Sequence, residues 1–186
     1  GNPSGGLEPP FGFESQSLRQ FLLRPRGFMD QSTQDAEFMR LAIEQAKIAE
    51  SYDEVPIGAV VVYEGEVISC GYNRRELDED PAGHAEFIAL KKASEKLGHW
   101  RLSGCTVYVT LEPCLMCAGL MYQSRIDRCV YGAKDPKAGA LGTLYQINED
   151  ERLNHRFEVT PGVLEDECAG LLSGFFAKLR ARRKRS

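Results

Sequence analysis

Apolar residues between Thr33 and Ser51 recur at helical spacing. Ala36, Met39, Ala42, Ile43, Ala46 and Ile48–Ala49 share one stripe, which predicts a helix. Pro56 and Gly58 end it. Ile57 to Tyr63 then reads as a strand, Glu64-Gly65 as a hairpin turn and Val67 to Tyr72 as the returning strand. Residues 74–82 are charged, close on Asp80-Pro81 and read as a loop. A helix is expected from His84 to about Leu97, a β-branched strand over Thr106–Thr110, a helix over Cys114–Gln123 and a strand over Arg128–Tyr131. Ala133 to Thr143 is a glycine-rich loop, Phe157–Val159 a short strand, and Glu165 to about Arg183 a last helix. Strands alternating with helices predict an α/β layered domain whose sheet is largely parallel beyond the first hairpin.

Length adds a domain count. A chain of 186 residues with 42% hydrophobic and 27% charged residues suits one soluble globular domain. No apolar run approaches the roughly 18–20 residues that span a bilayer, so no membrane partner is expected. Residues 1–30 stand apart, being rich in Gly, Pro, Ser and Gln without periodicity. They read as a disordered leader, added in expression or removed in processing ahead of a native start near Met29. A transit peptide is the alternative, because Arg19, Arg24 and Arg26 outnumber Glu8 and Glu14. Leu18 to Leu23 is compatible with a short helix. The folded domain is expected over residues 31–186.

Charge is unevenly distributed. All 27 acidic residues precede Leu171, whereas six of the 23 basic residues follow Gly170. The first 170 residues thus carry −10 and the last 16 carry +6, through Lys178, Arg180, Arg182, Arg183, Lys184 and Arg185. Such a tail is either a solvated terminus or a surface for phosphates. Six cysteines do not form a secreted framework: Cys70, Cys105, Cys129 and Cys168 are scattered through strands and helices and read as small buried thiols of a reducing cytoplasm.

The remaining two, Cys114 and Cys117, lie in Pro113-Cys114-Leu115-Met116-Cys117, some thirty residues after His84-Ala85-Glu86. Two thiolates and one imidazole are zinc-ligand types, and three protein ligands leave a fourth tetrahedral position for water. Both segments fall at a helix start, with Pro113 expected at the first helical position. There the positive helix end favours the metal-binding thiolate. A structural zinc knuckle completed by His99, His155 or another cysteine accounts for the ligands but for neither Glu86 nor Pro113, and a redox Cys-x-x-Cys pair does not need the distant His84-Ala85-Glu86. The pattern is that of zinc-dependent nucleobase deaminases, in which zinc lowers the pKa of its water to give hydroxide and the glutamate shuttles protons.

Glu54-Val55-Pro56-Ile57-Gly58-Ala59, Gly83-His84-Ala85-Glu86, Thr110 through Gly119 and Asn154-His155-Arg156 resemble the bacterial tRNA adenosine deaminases over about residues 33–184. The resemblance implies a three-layer α/β/α cytidine-deaminase-like fold with a central five-stranded mixed sheet. It implies a cytoplasmic homodimer with one Zn2+ per subunit. The activity implied is conversion of the wobble adenosine of a tRNA anticodon stem-loop, that of tRNA-Arg, to inosine. Site residues carry over position by position: His84, Cys114 and Cys117 hold the metal and Glu86 moves protons. Asn73 hydrogen-bonds the flipped base in a pocket lined by Val55, Ile57 and Ala85. Lys137 lies near the anticodon, and Phe176 and Arg180, with Phe175 and Lys178, touch the RNA. The chain departs from the family in its leader and in Asp78-Glu79-Asp80 near the site mouth, where acid repels phosphate.

Blander readings stand beside these. Asn73 ends a strand and can bond its own backbone. One of Phe175 and Phe176 is expected in the core and the other outside. His155 reads as a buried structural partner, His99 and Trp100 as capping and packing after the second helix, and Lys137 as a loop cation. A deaminase of a free base or nucleoside, such as guanine or a cytidine derivative, and a non-catalytic zinc module are the competing functions.

Overall fold

The computed structural model describes residues 30–185, so the expected leader, apart from Asp30, and the short helix at Leu18–Leu23 lie outside the described residues. Asp30 caps the first helix, α1 (Gln31–Ser51), by accepting from the Thr33 amide at 3.1 Å. Most of the expected stripe is buried: Met39, Ala42, Ile43, Ala46 and Ala49 face inward with Phe38, whereas Ala36 and Ile48 are only half-buried. A hairpin, β1 (Gly58–Tyr63) and β2 (Glu66–Tyr72), follows, with a bulge between Val61 and Val62. Then come α2 (Ala85–Leu97), β3 (Cys105–Leu111), α3 (Leu115–Ser124), β4 (Arg128–Ala133), a 3-10 turn at Ile147–Glu149, β5 (Glu158–Thr160) and α4 (Glu165–Arg183).

The five strands form one sheet in the order β2-β1-β3-β4-β5. β1 runs antiparallel to β2 and β3, whereas β3, β4 and β5 are mutually parallel neighbours. The α/β layering and mixed five-stranded sheet expected from the sequence are both present. β5 begins one residue late because Phe157 is spent in the core, and pairing starts where Glu158 meets Arg128. Alternating residues divide the core. Val61, Val107, Val109 and Cys129 meet α2 and α3 through Ala85, Ala89, Ala118 and Met121. On the other face Val60, Val62, Tyr108 and Val130 meet α1 and α4.

One polar network crosses that second face. Arg128 donates both terminal nitrogens to Asp35, at 2.8 and 2.7 Å, and the Tyr108 hydroxyl donates to the same carboxylate at 2.8 Å. Burial pushes the Asp35 pKa up, but these bonds, one from Gln31 and the Arg128 charge outweigh it and hold the carboxyl below its ordinary value.

Two expectations are corrected after α2. Gly98, at φ +75°, caps the helix instead of His99. Trp100 does not pack: it is 60% exposed, with the Arg101 guanidinium 5.1 Å over its ring. Cys70, Cys105, Cys129 and Cys168 are free and buried, as expected. No helix among the described residues is long and apolar enough to cross a membrane.

Candidate metal centre

The first turn of α2 rests directly on β2 at a glycine. A Cβ on Gly71 of β2 would lie 2.4 Å from the Ala85 carbonyl oxygen and 2.9 Å from the Ala89 amide, so only glycine lets the first turn of α2 settle there. His84 is the N-cap residue of α2 and Cys114 that of α3; both are extended, and neither side chain makes a capping bond. Positions where an oxygen usually caps the helix instead project an imidazole and a sulfur. Pro113 therefore precedes the N-cap and does not occupy the first helical position. Cys114 stays extended because it bridges Gly139, and the helix begins at Leu115.

His84 Nδ1 lies 3.7 Å from Cys114 Sγ and 3.6 Å from Cys117 Sγ. Tetrahedral zinc, with Zn–S about 2.3 Å and Zn–N about 2.05 Å, would space such atoms roughly 3.5 Å apart, so the donor set fits that ion. Among the described residues this is the one group of three or more His, Cys, Asp or Glu side chains close enough to hold a metal. His155 is not a fourth ligand: its Nε2 meets the Ile126 carbonyl at 2.8 Å, and the ring is half-buried.

The electrostatics favour charge on one of the two sulfurs, that of Cys114. Hydrogen bonds from the Cys117 thiol and from His84, with the helix amide, outweigh burial and push Cys114 down to about 3. Cys117 moves up, because it donates to that thiolate and is buried. The bond to Cys114 raises the His84 pKa. Glu86, in the first turn of α2 and only 4% exposed, is pushed up to about 7 by burial.

The flanking residues lie as follows. Asn73, buried at the end of β2, donates its amide nitrogen to Glu54 Oε2 at 3.1 Å and to the Val55 carbonyl at 3.3 Å. Val55 and Ile57 are half-buried beside it, and Ala85 is fully buried in the core. The other Glu54 oxygen accepts from the Leu77 amide at 2.6 Å, and the Arg74 amide bonds the Gly83 carbonyl at 2.8 Å, which ties the charged loop to the residue before His84. Within that loop Asp78 is offset by a two-pronged pair with Arg74, and Asp80 accepts from the Ala82 amide.

After β3, Glu112 is 2% exposed and grips the glycine-rich loop. Its carboxylate accepts from the amides of Asp135 at 3.1 Å, Leu141 at 3.2 Å and Thr143 at 3.0 Å, and from the Thr143 hydroxyl. Lys137 is exposed at the loop tip, its amide bonded to Asp135 Oδ1 at 2.9 Å. Phe176 and Arg180 are exposed on α4, on the opposite face of the sheet from α2 and α3, so they are not gathered with the cluster. Phe175 is the buried member of its pair, in an edge-to-face contact with Phe176. In the basic tail Lys178 pairs with Glu50 at 2.8 Å and Arg182 with Asp53 at 2.7 Å.

Glu54 and Glu112 are the side chains that spacing does not single out. Their shared signal is a carboxylate close before a proline at the edge of an apolar strand run, Glu54-Val55-Pro56 and Leu111-Glu112-Pro113. Such a charge is buried only when donors surround it.

Comparison with known proteins agrees with this geometry. Residues 33–180 match the family model of the MafB19-like deaminases. The tRNA-specific adenosine deaminase of Bacillus subtilis (strain 168) is 51% identical over 152 residues, covering 82% of this chain and 94% of the relative. That of Haemophilus influenzae is 46% identical over 151 residues, covering 81% and 87%. Among solved structures, one from studies of A-to-I editing by tRNA:A34 deaminases at the wobble position of transfer RNA superposes with a TM-score of 0.70 and 44% identity, covering 73% of this chain and 98% of that one. A guanine deaminase from Bacillus subtilis gives 0.53 and 33%, covering 62% and 71%. The chain belongs to the family of the tRNA-specific adenosine deaminases.

Proposed function

We propose that this chain hydrolyses the wobble adenosine of a tRNA anticodon, that of tRNA-Arg, to inosine and ammonia. The observation that carries the proposal is the triangle of His84, Cys114 and Cys117 with the buried carboxylate of Glu86 two residues beyond the imidazole. The 51% identity to a tRNA-specific adenosine deaminase supports the choice of substrate.

His84, Cys114 and Cys117 would hold one zinc ion, which supplies Lewis-acid activation of water when bound. Glu86 takes a proton from the water attacking C6 and delivers it to N1 of the purine; it then takes the proton of the new C6 hydroxyl and passes it to the amine, which leaves as ammonia while C6 becomes the carbonyl of inosine. Asn73, fixed by Glu54, orients the flipped base beside the half-buried Val55 and Ile57, and the fully buried Ala85 backs the pocket by seating the first turn of α2. Lys137 contacts the anticodon loop, and Phe176 and Arg180 extend the contact along the RNA through stacking and charge. The enzyme works as a homodimer in the cytoplasm; the exposed apolar side chains Leu115, Met116, Leu144 and Tyr145 support a second copy on the face beside the cluster. Six free cysteines suit a reducing compartment.

Incubating the zinc-loaded protein with an anticodon stem-loop bearing wobble adenosine, and with free guanine and cytidine in parallel, tests the substrate class. Inosine in the stem-loop supports the proposal, and deamination of the free base or nucleoside alone refutes it.

A further inference from the structure

Glu112 makes no contact with the imidazole or the thiols, yet it joins the expected metal-binding turn to the loop that carries Lys137. Its own amide bonds the Ala133 carbonyl at 2.8 Å, where the loop leaves β4. Its carboxylate takes four donors from Asp135, Leu141 and Thr143, so both ends of the loop close on one side chain. The backbone repeats the grip: the Ala140 amide donates to the Pro113 carbonyl at 2.9 Å, and Gly139 bridges Cys114. A Cβ on Gly139 would lie 2.4 Å from the Glu112 carboxylate, so this approach requires glycine. Inside the loop Asp135 caps the turn, accepting from the amides of Lys137 and Ala138 at 2.9 and 3.2 Å.

We propose that Glu112 is a positioning residue that locks the 133–143 loop against the α3 N-terminus and so fixes where Lys137 meets the RNA. A buried carboxylate with four donors holds one geometry, because no bond can be released without leaving a polar group unpaired. This inference rests on the proposed RNA substrate. It extends that reading by assigning the loop's placement to a residue that touches neither metal nor base.

The test is Glu112→Gln in the zinc-loaded enzyme. Glutamine offers one acceptor oxygen in place of two and turns an NH2 toward N–H donors, so donors of the loop lose their partner. Hydrogen exchange at the Asp135, Leu141 and Thr143 amides should speed by about tenfold or more. KM for the stem-loop should rise about tenfold while kcat stays within about twofold and the zinc content is unchanged. Thr143→Val, at an exposed position, removes one donor and should give a smaller shift in the same direction. It decides the matter if Glu112→Gln does not fold. Unchanged loop exchange, or a fall of kcat and zinc content at constant KM, would overturn the proposal. Wild-type enzyme inert on RNA would instead defeat the substrate reading and leave the exchange measurement to judge the clamp.

Discussion

Gly71 and Ala85 are packed so closely that the Ala85 carbonyl oxygen occupies space a Cβ on residue 71 would need, at 2.4 Å. The contact seats the first turn of α2, and with it His84 and Glu86. Gly71→Ala should therefore act at a distance. Overpacking of this kind costs about 1–3 kcal/mol. Because the strain falls on the turn between His84 and Glu86, zinc affinity and turnover should each drop by about tenfold or more. Zinc titration with a chromogenic chelator and a thermal melt check it together. A lowered melting temperature with intact zinc affinity would show that the turn yields elsewhere.

Glu86 lies beside Cys117 but is not needed to close the ligand triangle. Glu86→Ala should keep one zinc per chain and lose about 10²–10⁴-fold in kcat. Metal analysis and single-turnover kinetics on one preparation separate the two effects. Comparable turnover in the variant would remove Glu86 from the chemistry.

The Asp35–Arg128 pair bears on stability, not catalysis. Removing one partner of a buried pair leaves the other uncompensated, so Asp35→Asn should cost about 3–5 kcal/mol in denaturant unfolding. The pH dependence follows from sign. Asp35 is held below its unfolded value of about 3.9, so its contribution is fully present above that pH and is lost as pH falls through the lower, folded value. Wild type should lose more stability than the variant in that acid window, because the variant keeps only the other lowered carboxylates, Asp30, Asp78 and Asp150. Parallel acid curves for the two would show that the pair is not the titrating element.

Salt dependence separates the cations of α4. Arg180 is exposed, whereas Arg182 is paired with Asp53. Arg180→Ala should reduce the slope of log K against log salt by about 0.7–0.9 for any RNA sequence. Arg182→Ala should change it less. Equal slopes for wild type and Arg180→Ala would take that side chain off the RNA path.

The parts of the fold legible in the sequence were those with a period or a short spacing. The α1 stripe and the β1–β2 hairpin stand where periodicity puts them. His84, Cys114 and Cys117 come together because two helix starts, each marked by local sequence, face one another. What escaped was set by long-range contacts. Pro113 falls outside α3 because Cys114 is held extended by Gly139, 25 residues beyond that cysteine. The turn at Ile147–Glu149 has no period to reveal it, and Trp100 is left outside although its composition suggests core. Glu54 and Glu112 are acidic residues whose donors lie 19 to 31 residues downstream, which no local window contains.

The central claim is that the cluster acts on RNA-borne adenosine. Zinc-loaded protein should convert the wobble adenosine of an anticodon stem-loop to inosine, read by mass spectrometry of the digested RNA, and leave guanine and cytidine untouched. An unchanged stem-loop beside deaminated guanine or cytidine would contradict it.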